Sequence, residues 1–533
     1  MSHSITRRHF VKRATGIAGA LTAACAPAPD PAAGPAAGPA AGPAAADARP
    51  NIILLMGDDH GWDETAYNGH PHLQTPVLDQ MAASGLRMDR FYSAAPVCSP
   101  TRASVITGRH PNRCGTFMPN WSTRPEEISI ARVLSNSGYA CGHFGKWHLG
   151  PVKAGSPTNP GAMGFEEWLS HDNFFEMDPH FSRNGGPPEQ FKGEGSEIVI
   201  DETIRFIGKA TQSQRPFFTV VWFGSPHEPY SGLAEDLALY SDLPEDYKER
   251  VVRLTGMETG LPVERPLDQV LQERYAEITA MDRAIGELRD YLKDQGLRQN
   301  TLVWYCGDNG VPVEAAVTTP FRGHKGDVYE GGVRVPGVIE WPVRIPQPRV
   351  SDVNAVTSDM FPTICDLVGE PLPERPLDGI SLKPLLDGGM AERPEPICFW
   401  SYDTSHEAEN HPEPYIDPEL QQGTTPLVKQ MAGKLTRNFT NFHHPRIKEE
   451  DFAGSKAILG NRYKLVVDGE RSTASNDLEP ITELFDLRND QAEGDNLLDS
   501  QPEIAKKIAQ DMQRQLRDWQ QSALSSLTGA DYG

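Results

Sequence analysis

The chain is poor in positive charge, in regularly spaced cysteine and in long apolar runs, and each shortage excludes something. Its 533 residues carry 50 Lys and Arg against 73 Asp and Glu, a formal net charge of −23. That balance excludes an electrostatic nucleic-acid binder, so anion binding must be local. The seven cysteines, at 25, 98, 114, 141, 306, 365 and 398, form no CxxC pair and share no spacing. Neither a structural zinc site nor a disulfide framework is therefore expected. Cys141, Cys306 and Cys365 lie in apolar runs and read as small core residues, while Cys114 and Cys398 stay open. A composition of 38% hydrophobic and 23% charged residues is that of a soluble globular chain, long enough for more than one domain.

The first apolar segment, Ala14–Ala24, is far short of the ~20 residues of a spanning helix. It follows Thr6-Arg7-Arg8-His9-Phe10-Val11-Lys12, so residues 1–25 resemble a twin-arginine export signal. Leu21-Thr22-Ala23-Ala24-Cys25 resembles a lipoprotein cleavage box, with Thr22 in place of the usual large aliphatic residue. A plain cleaved signal and a lipid anchor at Cys25 both stay open, and the expected location is periplasmic or membrane-tethered. Residues 26–48 repeat Pro-Ala-Ala-Gly, bury nothing and read as a tether.

The folded body opens with the continuous apolar run Asn51–Met56, the pattern of a buried parallel strand. Thr75-Pro76 reads as the start of a helix through Met88. Further strand patterns are Tyr139–Phe144, Phe217–Phe223, Thr301–Cys306 and Val335–Ile339. Helical patterns at Ser129–Ser137, Ser196–Lys209 and Gln269–Gln295 alternate with them. This alternation predicts an α/β fold, a large mostly parallel sheet sandwiched by helices. Pro- and Gly-rich residues near Pro371–Gly389 suggest a boundary, giving a main domain over 49–390 and a smaller α+β domain over 391–533. In the latter, Ile397–Tyr402, Lys456–Leu459, Tyr463–Val467 and Glu483–Asp486 read as short strands and Glu503–Ala523 as a helix. Pro151–Gly195 reads as irregular, and Thr404–Asp451 as a long insertion.

The residues just beyond each strand carry the chemistry. Asp58-Asp59 come after the first, Lys146-Trp147-His148 after the Tyr139 run, His227 after the Phe217 run and Asp308-Asn309 after the Thr301 run. In an open parallel sheet such carboxyl ends face one ligand crevice. Asp58, Asp59, Asp308 and Asn309 form an all-oxygen set suited to a hard divalent cation, calcium ahead of magnesium. Taken singly, each pair is ordinary turn chemistry, and Lys146, His148 and His227 are ordinary surface or core residues. Their common placement favours a site. Cys98 precedes Ser99-Pro100-Thr101-Arg102, where a Pro-initiated helix and Arg102 favour an anion. Lys325, between Gly323 and Gly326, suits close approach to an anion or an ordinary solvated loop.

At these residues the chain resembles the formylglycine-dependent sulfatases of the alkaline-phosphatase superfamily. The resemblance rests on Cys98-Ser99-Pro100-Thr101-Arg102 with Thr107-Gly108, Gly57-Asp58-Asp59, Gly145–Gly150, Pro226-His227-Glu228-Pro229, Gly307–Gly310 and Lys325-Gly326. Ile106 replaces a commoner leucine. The resemblance implies an alkaline-phosphatase-like fold and a Cys98 oxidised to formylglycine by a formylglycine-generating enzyme. It implies a calcium ion on Asp58, Asp59, Asp308, Asn309 and an oxygen of the modified Cys98. It also implies Arg102, Lys146, His148, His227 and Lys325 as catalytic groups in sulfate ester hydrolysis. The rival readings are a phosphate monoester or diester hydrolase of the same superfamily, and a catalytically silent glycan-binding protein should Cys98 stay a thiol. The expected substrate is a sulfated small molecule or oligosaccharide, with Trp121, His171, Asn173, His180 and Arg183 as candidate sugar contacts.

Overall fold

The longest apolar runs, Asn51–Gly57, Phe217–Trp222 and Thr301–Gly307, supply the centre of the main sheet, because a parallel sheet covered on both faces leaves its middle no contact with water. In the computed structural model, residues 49–175, 177–256, 261–403, 414–427, 436–441, 447–472 and 478–525 are described. The export signal, Cys25, the Pro-Ala-Ala-Gly tether and parts of Thr404–Asp451 lie outside them.

The main sheet has ten strands: β1 (Asn51–Gly57), β2 (Leu86–Met88), β3 (Ala140–Lys146), β4 (Glu167–His171), β5 (His180–Arg183), β6 (Glu189–Gln190), β7 (Phe217–Trp222), β8 (Thr301–Gly307), β9 (Gly337–Glu340) and β10 (Arg349–Ser351). Their order is β10-β2-β9-β8-β1-β7-β3-β4-β5-β6. The five central strands β8-β1-β7-β3-β4 are parallel, and β2, β9, β5 and β6 supply antiparallel pairings toward the edges.

Alternation along β1 sorts the core into two layers. Ile52, Leu54 and Met56 pack with Trp222, Trp304 and residues of α2 (Cys98–Thr107) and α3 (Ile130–Asn136). Ile53 and Leu55 face α1 (Pro76–Ser84), α4 (Gly195–Gln212) and α5 (Leu267–Asp294). A second, antiparallel sheet of β11 (Ile397–Trp400), β12 (Lys456–Leu459), β13 (Tyr463–Ser472) and β14 (Leu478–Asp486) carries α6 (Pro502–Ser525) on one face. The alkaline-phosphatase-like α/β architecture with a smaller α+β unit is thus present.

Four local expectations need correction. The helix expected through Met88 stops at Ser84, and Leu86–Met88 is a strand instead. At Gly85 a Cβ would sit 2.2 Å from the Ile339 carbonyl oxygen, and Leu86, Arg87 and Met88 alternate with period two. The helix of the Cys98 segment begins at Cys98 itself, two residues before Pro100. Pro151–Gly195 holds β4, β5 and β6 rather than irregular chain alone. The strands expected at Tyr463–Val467 and Glu483–Asp486 are ten and nine residues long. All six described cysteines are buried and unbridged. Among the described residues no helix is long and apolar enough to cross a membrane.

Candidate active site

Register places the polar strand ends side by side. Gly57 pairs with Gly307, so Asp58 and Asp308 leave neighbouring strands together, and the Asp308 N–H donates to the Gly57 carbonyl (3.1 Å). Glycine is needed at that crossing because a Cβ on Gly307 would lie 2.0 Å from the His60 carbonyl oxygen. On the other side Gly145 pairs with Trp222, which brings Lys146 to the same edge.

The charged groups then close on one another, all but Lys325 and His227 fully or almost fully buried. Lys146 Nζ lies 2.6 Å from Asp58 Oδ2. Arg102 donates through Nε and Nη2 to Asp308 Oδ2 (3.1 and 2.7 Å), with Nη2 3.5 Å from Asp58 Oδ1. Its guanidinium covers the Trp222 ring at 5.0 Å. Arg102 therefore stands behind the carboxylates, fixing them. Lys325 Nζ reaches Asp59 Oδ1 (2.7 Å) and His227 Nε2 (3.3 Å). Asn309 Nδ2 donates to Asp59 Oδ1 (2.9 Å), and the Asp59 N–H to Asp308 Oδ1 (2.9 Å). Cys98 occupies the first turn of α2, 2% exposed, and its sulfur lies within 4.8 Å of carboxylate oxygens of Asp58 and Asp308.

Two oxygens are left over. Asp58 Oδ1 and Asn309 Oδ1 are buried and accept no hydrogen bond. Orphaned acceptors of this kind are costly in a folded chain, and a hard cation relieves them. The donor set of Asp58, Asp59, Asp308 and Asn309 fits calcium, whereas the Cys98 sulfur is the wrong donor in such a set.

The charges follow from the same contacts. Burial alone would raise Asp58 and Asp59, but Lys146 and Lys325 respectively, aided by His227, hold both below the ordinary carboxylate range. Asp308 is pushed up to about 7 by burial and by the Asp58 carboxylate, against Arg102. Burial works to lower Lys325, yet Asp59 keeps it above the usual lysine value. Burial raises the Cys98 thiol, with Lys146 and Lys325 pulling it back only partly. That shift disfavours the thiolate form a nucleophilic cysteine needs. His227 is pushed down to about 4, mainly by burial, while Asp59 opposes and Lys325 reinforces the fall. Burial, then the charges of Lys146 and Arg102, take His148 well below its ordinary value.

All the sequence-derived site residues meet at this edge, but the candidate sugar contacts divide. Asn173 donates to Asn120 Oδ1 (2.7 Å), which also meets His148 Nε2 (3.1 Å). His171 is committed to the carbonyls of Asn173 and Pro426, Arg183 to Glu202, and Trp121 packs with Phe117 and Tyr402. His180 lies half-buried at the start of β5, paired with Gln190 of the edge strand β6. Sequence reasoning missed Asn120, which belongs to no motif, and Phe174, whose ring stacks on His227 at 4.9 Å. It also missed Arg274 of α5, fully buried between Glu64, the Pro226 carbonyl and the Asp59 carbonyl. A signal existed for Arg274: it sits in the apolar stripe of Leu271, Tyr275 and Ile278, where an arginine must find partners.

Comparison with known proteins gives a consistent picture. Residues 50–370 match the family model described as Sulfatase. N-acetylgalactosamine-6-sulfatase of Canis lupus familiaris is 31% identical over 67% of this chain and 69% of that protein. Arylsulfatase A of Homo sapiens is 32% identical over 66% of this chain and 71% of that protein. The solved structure of BT4656 in complex with its substrate D-glucosamine-2-N,6-O-disulfate superposes with a TM-score of 0.66 at 20% identity, over 89% of this chain and 98% of that one.

Proposed function

The chain belongs to the sulfatase family and is a sulfuric ester hydrolase, and on that premise we propose that it desulfates sugars through a formylglycine hydrate at position 98. The carrying observation is the mismatch at Cys98: a buried sulfur placed among hard oxygen ligands. An oxygen-bearing side chain there resolves it. Oxidation by a formylglycine-generating enzyme supplies that side chain.

Asp58, Asp59, Asp308, Asn309 and an oxygen of residue 98 would hold the calcium ion. Bound there, calcium supplies positive charge against the sulfate oxygens and lowers the pKa of a hydroxyl beside it. Lys146 and Lys325 complement the remaining sulfate oxygens, and Arg102 keeps Asp58 and Asp308 in place. One hydrate hydroxyl, its proton released to solvent, forms the new bond to sulfur as the sulfur–alcohol oxygen bond breaks. The alcohol takes its proton from the Lys325–His227 pair. His148 then removes the proton of the second hydroxyl, the aldehyde reforms and sulfate departs. A serine cannot eliminate in this way.

Sulfated sugars are supported as substrates by the N-acetylgalactosamine-6-sulfatase relative and by the disulfated glucosamine in BT4656. The twin-arginine segment supports export, with Cys25 as the candidate lipid anchor. Among the described residues the two clusters able to hold a metal, Asp58–Cys98–Asp308 and Asp58–Asp59–His227, overlap at Asp58, so the paired ester assays separate this reading from a two-metal phosphate hydrolase. Mass spectrometry of the Cys98 peptide from the native host, with paired assays on matched sulfate and phosphate esters, tests the reading. Aldehyde at 98 with preferential sulfate release is expected. An unmodified thiol in active enzyme, or preferential phosphate release, overturns it.

A further inference from the structure

We infer that Asn173 and Asn120 act as positioning residues that set which nitrogen of His148 carries the proton. This inference rests on the proposed function for its catalytic meaning, since there His148 takes a proton. The structural chain starts at a backbone group whose polarity is fixed. The Phe174 N–H donates to Asn173 Oδ1 (2.9 Å), which makes the other end of that amide the NH2 group. That NH2 faces Asn120 at 2.7 Å, so Asn120 must present its oxygen. His148 Nε2 lies 3.1 Å from the same oxygen and must therefore bear the hydrogen. In a neutral imidazole the second nitrogen, Nδ1, then holds a lone pair. Nδ1 is buried and has no hydrogen-bond partner, the condition of a base waiting for a proton.

The backbone is built to keep this chain in place. Ser99, next to Cys98, accepts from the Asn120 N–H (3.1 Å) and donates to the His148 carbonyl (2.7 Å). The His148 N–H donates to the Asp172 carbonyl (3.1 Å), and the Thr440 N–H to the Asn120 carbonyl (3.1 Å). Asn120 and His148 both adopt left-handed conformations, φ 66° and 57°, which non-glycine residues hold only against a cost of about 1 kcal/mol or more.

The decisive variants place one carboxylate at either amide. Asn173→Asp still accepts from the Phe174 N–H but offers Asn120 only acceptors. The Asn120 amide must then turn its NH2 toward both Asp and His148, which moves the imidazole proton to Nδ1. Asn120→Asp keeps an oxygen in front of Nε2 and keeps the proton there. Histidine-labelled nitrogen NMR reads the tautomer directly, with His148 assigned by loss of its signals in His148→Gln. It is read also in Cys98→Ala, where no sulfate chemistry runs. The proton is expected on Nε2 in wild type, Cys98→Ala and Asn120→Asp, and on Nδ1 in Asn173→Asp. With an aryl sulfate, Asn173→Asp should lose about 10²-fold in kcat while keeping its first-turnover burst of alcohol, and Asn120→Asp far less. A proton on Nδ1 of wild type overturns the inference without any variant. An unchanged tautomer in Asn173→Asp, or equal losses in the two variants, overturns it as well. The expected tautomers in a chain whose active form keeps a thiol at 98 would overturn the proposed function and leave the relay standing.

Discussion

Lys146→Met is the sharpest test of the site's electrostatics because it should move stability, metal affinity and turnover in different ways. At 2.6 Å the Lys146–Asp58 attraction is about 6 kcal/mol for an effective dielectric near 20. Removing one partner of such a buried pair costs about 3–5 kcal/mol, since the other charge stays desolvated. Arg102 remains 3.5 Å from Asp58, retaining about 5 kcal/mol of attraction at the same dielectric. The cost should therefore fall at the lower end, about 3 kcal/mol. A divalent cation on Asp58 replaces the lost charge, so calcium should bind the variant more tightly than wild type. Binding at a hundredfold excess over Kd adds about 2.7 kcal/mol to either protein, and the tighter site gains more. Urea denaturation in chelator should show the full gap, and saturating calcium should close most of it. Turnover should fall about 10²-fold or more even with calcium, because a donor to the sulfate oxygens is gone. A gap of equal size with and without calcium, or no gap, refutes this account of Asp58.

Two further expectations concern the smaller sheet and its helix. Asp378 holds Arg113 (2.8 Å) and accepts from Trp519 Nε1 of α6 (2.9 Å). Burial would raise its carboxyl, but Arg113 and the hydrogen bonds bring it down to about 2. A depressed carboxylate stabilises above its unfolded pKa and loses that contribution as pH falls through the folded value. Acidification from pH ~4 to ~2 should thus remove about 2 kcal/mol, seen as a tryptophan fluorescence change that Asp378→Asn abolishes. Lys464 sits fully buried between Glu330 (3.0 Å) and Glu493 (2.9 Å). Lys464→Met leaves Glu493 without its cation while Glu330 keeps Arg334 (3.5 Å), so about 3 kcal/mol should be lost at alkaline pH and less at acidic pH, where one carboxylate takes a proton. Denaturation across pH checks the sign.

Much of this site was legible because its residues sit at strand ends, where backbone topology alone decides what meets. A continuous apolar run such as Asn51–Met56 predicts a buried parallel strand, and the residue after it must then face the crevice. The same logic reached Lys146, His227 and Asp308. It failed where neighbours come from unrelated loops: Asn120 meets His148 only because Asp172, Ser99 and Thr440 hold both backbones. Charge alone did not reveal that the anions beside Arg102 include carboxylates arriving from two other strands. Strands β4 to β6, on one side of the sheet, lack such a signal because their residues are mixed and short-run, without the period that marks a buried strand.

The burial of Cys98 sets an order of events. With 2% of its surface exposed at the start of a helix, the side chain is closed to any macromolecular modifier once the chain has folded. An enzyme that oxidises it must reach it on the extended polypeptide, before β1, β3 and β8 close around it. Under the proposed conversion of Cys98, folding and oxidation would therefore compete for each nascent chain, and a chain that folded first would keep its thiol for as long as it stayed folded. On that proposal the fraction of active molecules would record the relative rates of folding and oxidation during synthesis.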